Sequence, residues 1–314
     1  MLSHKLAPEI RSLLEGMAAE GGPAMETLSA AQAREASAGI AQLAGEAEPV
    51  SRIENRGIPG RAGEIPVRIY FPEGDGPFPG VVFLHGGGWV LGDLDSHDNV
   101  CRAISNRAGA VVVSVHYRLA PEHRFPAALE DSLDATAWVA DNAAALGIDP
   151  RRLVIAGDSA GGNMATVVAA KARDTKRPAL ALQVLVYPVT DLSSSETASY
   201  REFAEEHFLT RALMDWFADH YVPRLEDRTT PDASPAFIAA LSGLPPALVI
   251  TAECDPLRDE GEAYAERMRD HGVPVTLTRY DGMIHPFVSF LGVTPSAHEA
   301  LDEIAAAIRG VAPL

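Results

Sequence analysis

The sequence predicts an α/β fold in which a mostly parallel sheet is covered by helices on both faces. Three observations predict it. After Gly80 the chain carries six apolar-rich runs, beginning with "GVVFLHGGG" and ending with "VPVTLTRYDG". Strands buried on both faces read this way, without the alternation of a half-exposed strand. Helical stretches separate the runs, and strand–helix alternation is the mark of a doubly covered parallel sheet. The chain has 314 residues and 47% hydrophobic content, enough to bury a large core.

The elements follow in order. Residues 2–44 are helical in pattern and Ala/Glu-rich, with a break at Gly21-Gly22-Pro23. Leu28, Ala31, Ile40 and Leu43 are expected to share an apolar face there. "VSRIENRGIPG" and "IPVRIYFP" alternate around turn residues and predict an antiparallel pair. The parallel strands are then "GVVFLHGGG", "AVVVSVHY", "RLVIAGDS", "LALQVLVYP", "PALVITAECD" and "VPVTLTRYDG". Helices are expected over 97–107, 127–145, 159–172, 259–271 and 296–309. One interval, 190–231, is too long for a single crossover. It contains "EEHFLTRALMDWFADHYV", in which Phe208, Leu209, Met214 and Phe217 can line one helical face. The expected organisation is an N-terminal helical cap segment (1–48), a core in two parts (49–189 and 232–314) and a cap insertion (190–231).

Composition excludes several functions. The net charge of −17 repels nucleic acid and anionic lipid surfaces, so neither is an expected partner. No apolar run reaches the length of a membrane span. Cys101 and Cys254 are the only cysteines, too few for a disulfide framework, and no Cys/His cluster has metal-ligand spacing. "MLSHKLAPEIRSLLEG" has no secretory apolar region. The expectation is a cytoplasmic protein without metal or organic cofactor.

"LVIAGDSAGGNMATVVAA" sets Ser159 between glycines where a strand turns into a helix. Gly157-Asp158-Ser159-Ala160-Gly161 fits G-x-S-x-G in its required strand–turn–helix context. A sharp turn lifts the hydroxyl above the sheet and leaves room only for small neighbours. The helix start also points free N–H groups and a positive dipole end at the site. An ordinary helix cap is the competing reading.

A serine hydroxyl needs a base and the base an orienting acid, and in this architecture the chain order is Ser, acid, His. His285, in "RYDGMIHPF", follows the last strand and is the candidate base. His116 ends an earlier strand, His97 and His271 lie in or beside helices, and His298 reads as surface. Asp255 follows the fifth parallel strand, with Pro256 fixing its turn, and is the candidate acid. Its role is to accept the imidazole N–H and set the tautomer. Asp259 reads as a helix N-cap and Glu253 as a strand end. Cys254 reads as a small buried thiol.

An acyl-transfer site also needs donors for a developing oxyanion. "LHGGGWVLGD" supplies three consecutive glycines after a strand, so backbone N–H groups can approach a substrate oxygen unobstructed. No Walker or G-x-G-x-x-G pattern supports the phosphate-loop alternative. His85 reads as a brace for this loop.

Together "HGGGWVLGD", "YRLAPEHRFPAALED", "GDSAGGN", "DPLRDEG" and "HPF" resemble the bacterial hormone-sensitive-lipase family of carboxylesterases, of α/β-hydrolase fold with a helical cap. The resemblance implies Ser159 as nucleophile, Asp255 as acid and His285 as base. It implies an oxyanion hole from Gly87, Gly88 and Ala160, with Gly86 shaping the turn. Glu122, His123 and Arg124 are expected to be structural. Trp89, Leu209, Met214 and Phe287 are the candidate substrate contacts, although Met214, with Trp216 and Phe217, fits core packing better. The expected activity is hydrolysis of short-to-medium acyl esters through an acyl-enzyme. The same triad could act on an amide, lactone or carbamate, and a non-catalytic ligand-binding protein on this fold is the remote alternative. "VPVTLTRY" reads as an edge strand, which a second copy could extend into a homodimer.

Overall fold

The structure, a computed structural model, describes residues 2–314. Its centre is one eight-stranded sheet: β1 (Arg52–Gly60), β2 (Gly63–Phe71), β3 (Phe78–Leu84), β4 (Val111–Val115), β5 (Ile148–Asp158), β6 (Leu182–Val186), β7 (Ala247–Cys254) and β8 (Val275–Ile284). The spatial order is β1-β2-β4-β3-β5-β6-β7-β8. β1, β2 and β4 pair antiparallel, and all pairings from β4 through β8 are parallel.

The inward alternation of β3 explains both covered faces. Val82 and Leu84 join one apolar cluster, and Val81 and Phe83 join the other. The first cluster is closed by α4 (Ala127–Asp141), α5 (Ala160–Thr175) and α8 (Arg258–Asp270). The second is closed by α3 (Asp98–Ala108) and α9 (Pro295–Arg309). Gly80 keeps β3 close to its neighbour, because a Cβ there would come within 2.6 Å of the Ile148 side chain.

The chain leaves β3 to form β4 on one side and later returns to form β5 on the other. Such a reversal opens a crevice beyond the carboxyl ends of the two strands, where α/β sheets bind ligands. Leu84 and Gly157 are register partners at those ends. The glycine loop and Ser159 therefore emerge side by side.

Two segments lie over this crevice. The first holds α1 (Pro8–Glu20), the turn Met25–Thr27, α2 (Ala30–Ser37) and the 3-10 stretch Ala38–Ala44. The second holds α6 (Ala198–Glu202) and α7 (Arg211–Tyr221), and α7 packs against Met25–Thr27. Among the described residues, no helix is long and apolar enough to cross a membrane.

Local details differ from the sequence expectation. Ala31 is exposed, and α2 buries Ala30 and Ala33 instead, because its N-cap at Ser29 sets a different rotation. Thr210 caps α7, so Phe208 lies outside the helix at φ 72° and stacks edge-on against Phe290 rather than sharing a face with Met214. Asp259 is not an N-cap. It sits in the first turn of α8 and accepts the Ser199 N–H, tying α6 to the core.

Candidate active site

β5 delivers Ser159 through a strained turn. Its backbone has φ 55° and ψ −118°, a conformation costing about 1–3 kcal/mol that surrounding structure must hold. The hold comes from the Ser159 N–H, which donates to Val186 O at 2.8 Å. Gly161 is obligatory in this turn, since a Cβ there would lie 1.8 Å from Leu84 O.

Three side chains distant in sequence form one hydrogen-bonded line. Ser159 Oγ lies 2.9 Å from His285 Nε2, and His285 Nδ1 lies 2.9 Å from Asp255 Oδ2. The carboxylate can only accept, so Nδ1 carries the proton and Nε2 is the acceptor facing the hydroxyl. Asp255 is fully buried, and its other oxygen accepts the Leu257 N–H at 2.9 Å. The turn after β7 thus fixes the acid before the imidazole meets it. Tyr187 packs its ring 4.5 Å from that of His285.

The N–H groups of Gly87, Gly88 and Ala160 make no hydrogen bond within the chain among the described residues. Gly86, expected to shape the turn, presents no free amide to the site. Its N–H donates to Asp158 Oδ1 at 2.9 Å, so it anchors the loop. A Cβ at Gly86 would sit 2.4 Å from Asp158 Oδ2.

Behind the loop lies a buried polar cluster. Asp158 also meets His97 Nε2 at 3.2 Å. Burial opposes ionisation of Asp158, but His97 beside it holds its carboxyl below the usual range. His85 is pushed down to about 3, first by burial and then by His97. The imidazole is therefore neutral at physiological pH and cannot double as a cationic anchor. It braces the loop through stacking on Tyr117 at 4.2 Å, while Tyr117 Oη donates to His85 O at 2.6 Å. The sequence reading placed His97 merely beside a helix. Its contact with Asp158 depends on β5 and the start of α3 meeting in space, and no local signal announces it.

A cavity of about 740 Å³ opens over Ser159 and His285. Its walls are largely apolar, with Leu14, Met17, Met25 and Ile40 from the first covering segment and Leu209, Leu213, Met214 and Phe217 from the second. Trp89, a candidate substrate contact in the sequence, borders the cavity, but its side chain is fully buried and its ring stacks on Tyr221 at 4.6 Å, so it packs in the core instead of presenting a face to substrate. Phe287 does not face the cavity. It is fully buried beneath it, against Tyr187 and Tyr280, because its short 3-10 turn points the ring into the second core cluster. The methionines of the first segment were not singled out in the sequence, since their helical spacing resembles any core stripe.

Other candidates fall elsewhere. His116 stacks beside His85 at 6.2 Å, His271 closes α8, and His298 bonds Leu291 O at the surface. Glu253 accepts the Gly282 N–H at 2.9 Å. Burial raises the Cys254 thiol to about 11, as expected of an inert buried cysteine. No group of acidic, His or Cys side chains suited to a metal ion occurs among the described residues.

Comparison with known proteins agrees with this geometry. A family model described as alpha/beta hydrolase fold matches residues 81–289. The chain is 48% identical to carboxylesterase NlhH of Mycobacterium tuberculosis, over 83% of each chain. It is 38% identical to an ethyl acetate hydrolase of Pseudomonas putida, over 98% of each. An esterase structure from Pyrobaculum calidifontis superposes with a TM-score of 0.92 at 46% identity, covering 98% of this chain and all of that one (100%). The fold is thus shared with esterases over nearly the whole chain, and the chain belongs to the alpha/beta-hydrolase-fold family, among its hormone-sensitive-lipase-like members, as a carboxylic ester hydrolase.

Proposed function

We propose that Ser159 is the nucleophile, His285 the general base and acid, and Asp255 the orienting carboxylate of this serine esterase. The observation that carries the assignment is the continuous 2.9 Å contact from Ser159 Oγ through His285 to Asp255. Ser159 Oγ attacks the ester carbonyl as His285 Nε2 takes its proton. The tetrahedral oxyanion lies against the free N–H groups of Gly87, Gly88 and Ala160, where one such donor is worth ~3 kcal/mol. His285 then protonates the departing alcohol, and water, activated by the same imidazole, releases the acid from the acyl-enzyme.

The substrate class we infer is short-to-medium acyl esters of small alcohols. Support comes from the confined apolar cavity under residues 2–44 and 190–231, which we read as the two parts of a cap. The similarity to an ethyl acetate hydrolase points the same way. We also place the protein in the cytoplasm, on its two unpaired thiols, and infer a homodimer through β8, which ends the sheet. Light scattering on a sizing column tests the dimer, and a monomer at micromolar concentration rejects it.

Ser159→Ala is the decisive variant. It should lower kcat for p-nitrophenyl butyrate by roughly ten-thousand-fold or more with the fold intact, and it should lose covalent labelling by an organophosphonate. Retained turnover or labelling rejects the nucleophile. A p-nitrophenyl series from acetate to palmitate tests chain length, and a rate that climbs towards palmitate rejects the pocket reading.

A further inference from the structure

The turn that presents the glycine amides is held from outside the core. Gly87, Gly88 and Trp89 have φ of 115°, 59° and 59°. Three successive left-handed residues, one of them a tryptophan, need surroundings that enforce the conformation. Within the turn, Val90 and Leu91 N–H both donate to Gly87 O, at 3.1 and 2.8 Å. Those bonds close the turn without anchoring it.

Two anchors are visible. The Ala120 N–H donates to Trp89 O at 2.8 Å. The next carbonyl, Val90 O, is taken by Arg34 of α2, whose Nε donates at 2.8 Å. The same guanidinium donates to Ala120 O at 2.8 Å, so it grips both the turn and the loop that grips Trp89. Glu122 aims it, accepting from Nη1 at 2.9 Å and Nη2 at 2.7 Å. This gives the glutamate of "PEHRFPA" a specific task. An exposed ion pair alone would add little, but here the planar fork is fixed so that its other edge reaches two main-chain oxygens. The other covering segment grips the turn from the opposite side, with Tyr221 stacked on Trp89 and Phe217 against Gly88.

We propose that Arg34, oriented by Glu122, is a positioning residue for the oxyanion turn, so that seating the N-terminal covering segment and setting the glycine amides are one structural event. The inference rests on the site reading above. If α2 lifts away, Val90 O loses its partner and the turn loses one of its two main-chain anchors. A substrate would then meet a covered, fully formed donor set, or an open and loosened one.

The test uses the full chain with Arg34→Met, Arg34→Lys and Glu122→Gln, alongside Ser159→Ala. Kinetics on p-nitrophenyl butyrate are read together with affinity for an aliphatic trifluoromethyl ketone, whose hemiketal oxyanion needs the same donors. Arg34→Met should lower kcat about 10- to 100-fold with KM within about threefold, and weaken the ketone by the same factor as kcat/KM. Glu122→Gln should fall between it and the unaltered enzyme. Should Arg34→Met fail to fold, Arg34→Lys serves, because an ammonium keeps the charge and stem but cannot span both carbonyls. A loss confined to KM, or unchanged ketone affinity in a folded variant, overturns the proposal and leaves Arg34 a simple strap. An active Ser159→Ala would instead overturn the site reading itself.

Discussion

Gly86 N–H donates to Asp158 Oδ1 at 2.9 Å, so the residue immediately before Ser159 holds the loop that faces it. One carboxylate thereby ties the end of β3 to the end of β5. This buried bond limits how far the start of the glycine loop can move from the serine turn. His97 Nε2, at 3.2 Å, is a second buried partner of the same carboxylate.

Removing that carboxylate should therefore cost both stability and rate. Asp158→Ala leaves the buried Gly86 N–H without an acceptor, a loss of about 1–3 kcal/mol. Asp158→Asn keeps an oxygen in place and should recover the larger part. Thermal melts and kcat, measured side by side, check the ranking, and identical behaviour of the two variants would refute it.

Asp255→Asn tests the orienting role separately from the nucleophile. An amide NH2 turned towards His285 favours the tautomer with its proton on Nε2, which cannot accept from Ser159. The expected loss in kcat is roughly ten-thousand-fold, with KM little changed. A loss of less than tenfold would mean that another group sets the tautomer.

Gly88→Ala probes the fit between the glycine turn and α7. A Cβ there would lie 2.2 Å from the Phe217 ring. The single variant should lose about tenfold or more in kcat, in line with misplacing an oxyanion donor. Gly88→Ala combined with Phe217→Ala should regain part of that loss, because the obstruction is a side chain. A double variant no better than the single one would place the fault in the backbone instead.

Glu260 predicts a pH dependence of stability. Its carboxyl is buried and raised to about 8, chiefly by burial, although it accepts the Thr190 N–H at 2.6 Å. The folded pKa lies above the unfolded value of about 4.3, so the folded state holds the proton more tightly. The associated stability is fully present below the unfolded pKa, declines as pH rises between the two values, and is gone above about 8. Glu260→Gln should flatten the fall in Tm across that window. An unchanged slope would show that other groups carry it.

Much of the architecture was legible from residues alone. The five inner parallel strands were visible because burial on both faces forces apolar runs, and the antiparallel pair because one exposed face forces alternation. β8, at the sheet edge and half-exposed over most of its length, was legible instead from its β-branched pattern. Ser159, Asp255 and His285 could be singled out because each stands at a strand end beside small or turn-forming residues. The covering segments were harder to read. The pattern that put Ala31 and Phe208 on apolar faces assumed helix phases that the Ser29 and Thr210 caps then reset.

The sequence by itself determined the order of strands and helices, the strained serine turn and the run of glycines, because these rest on local sterics and on burial periodicity. Only the tertiary structure decided that the Gly86 amide is occupied by Asp158, that Phe287 lies below the cavity, and that Arg34 reaches Val90. Those contacts join residues 72 and 56 positions apart, or depend on which side of a packed layer a ring falls. Hydrogen bonds and packing between distant segments leave no local pattern, since any exposed arginine or buried phenylalanine would look the same in the chain.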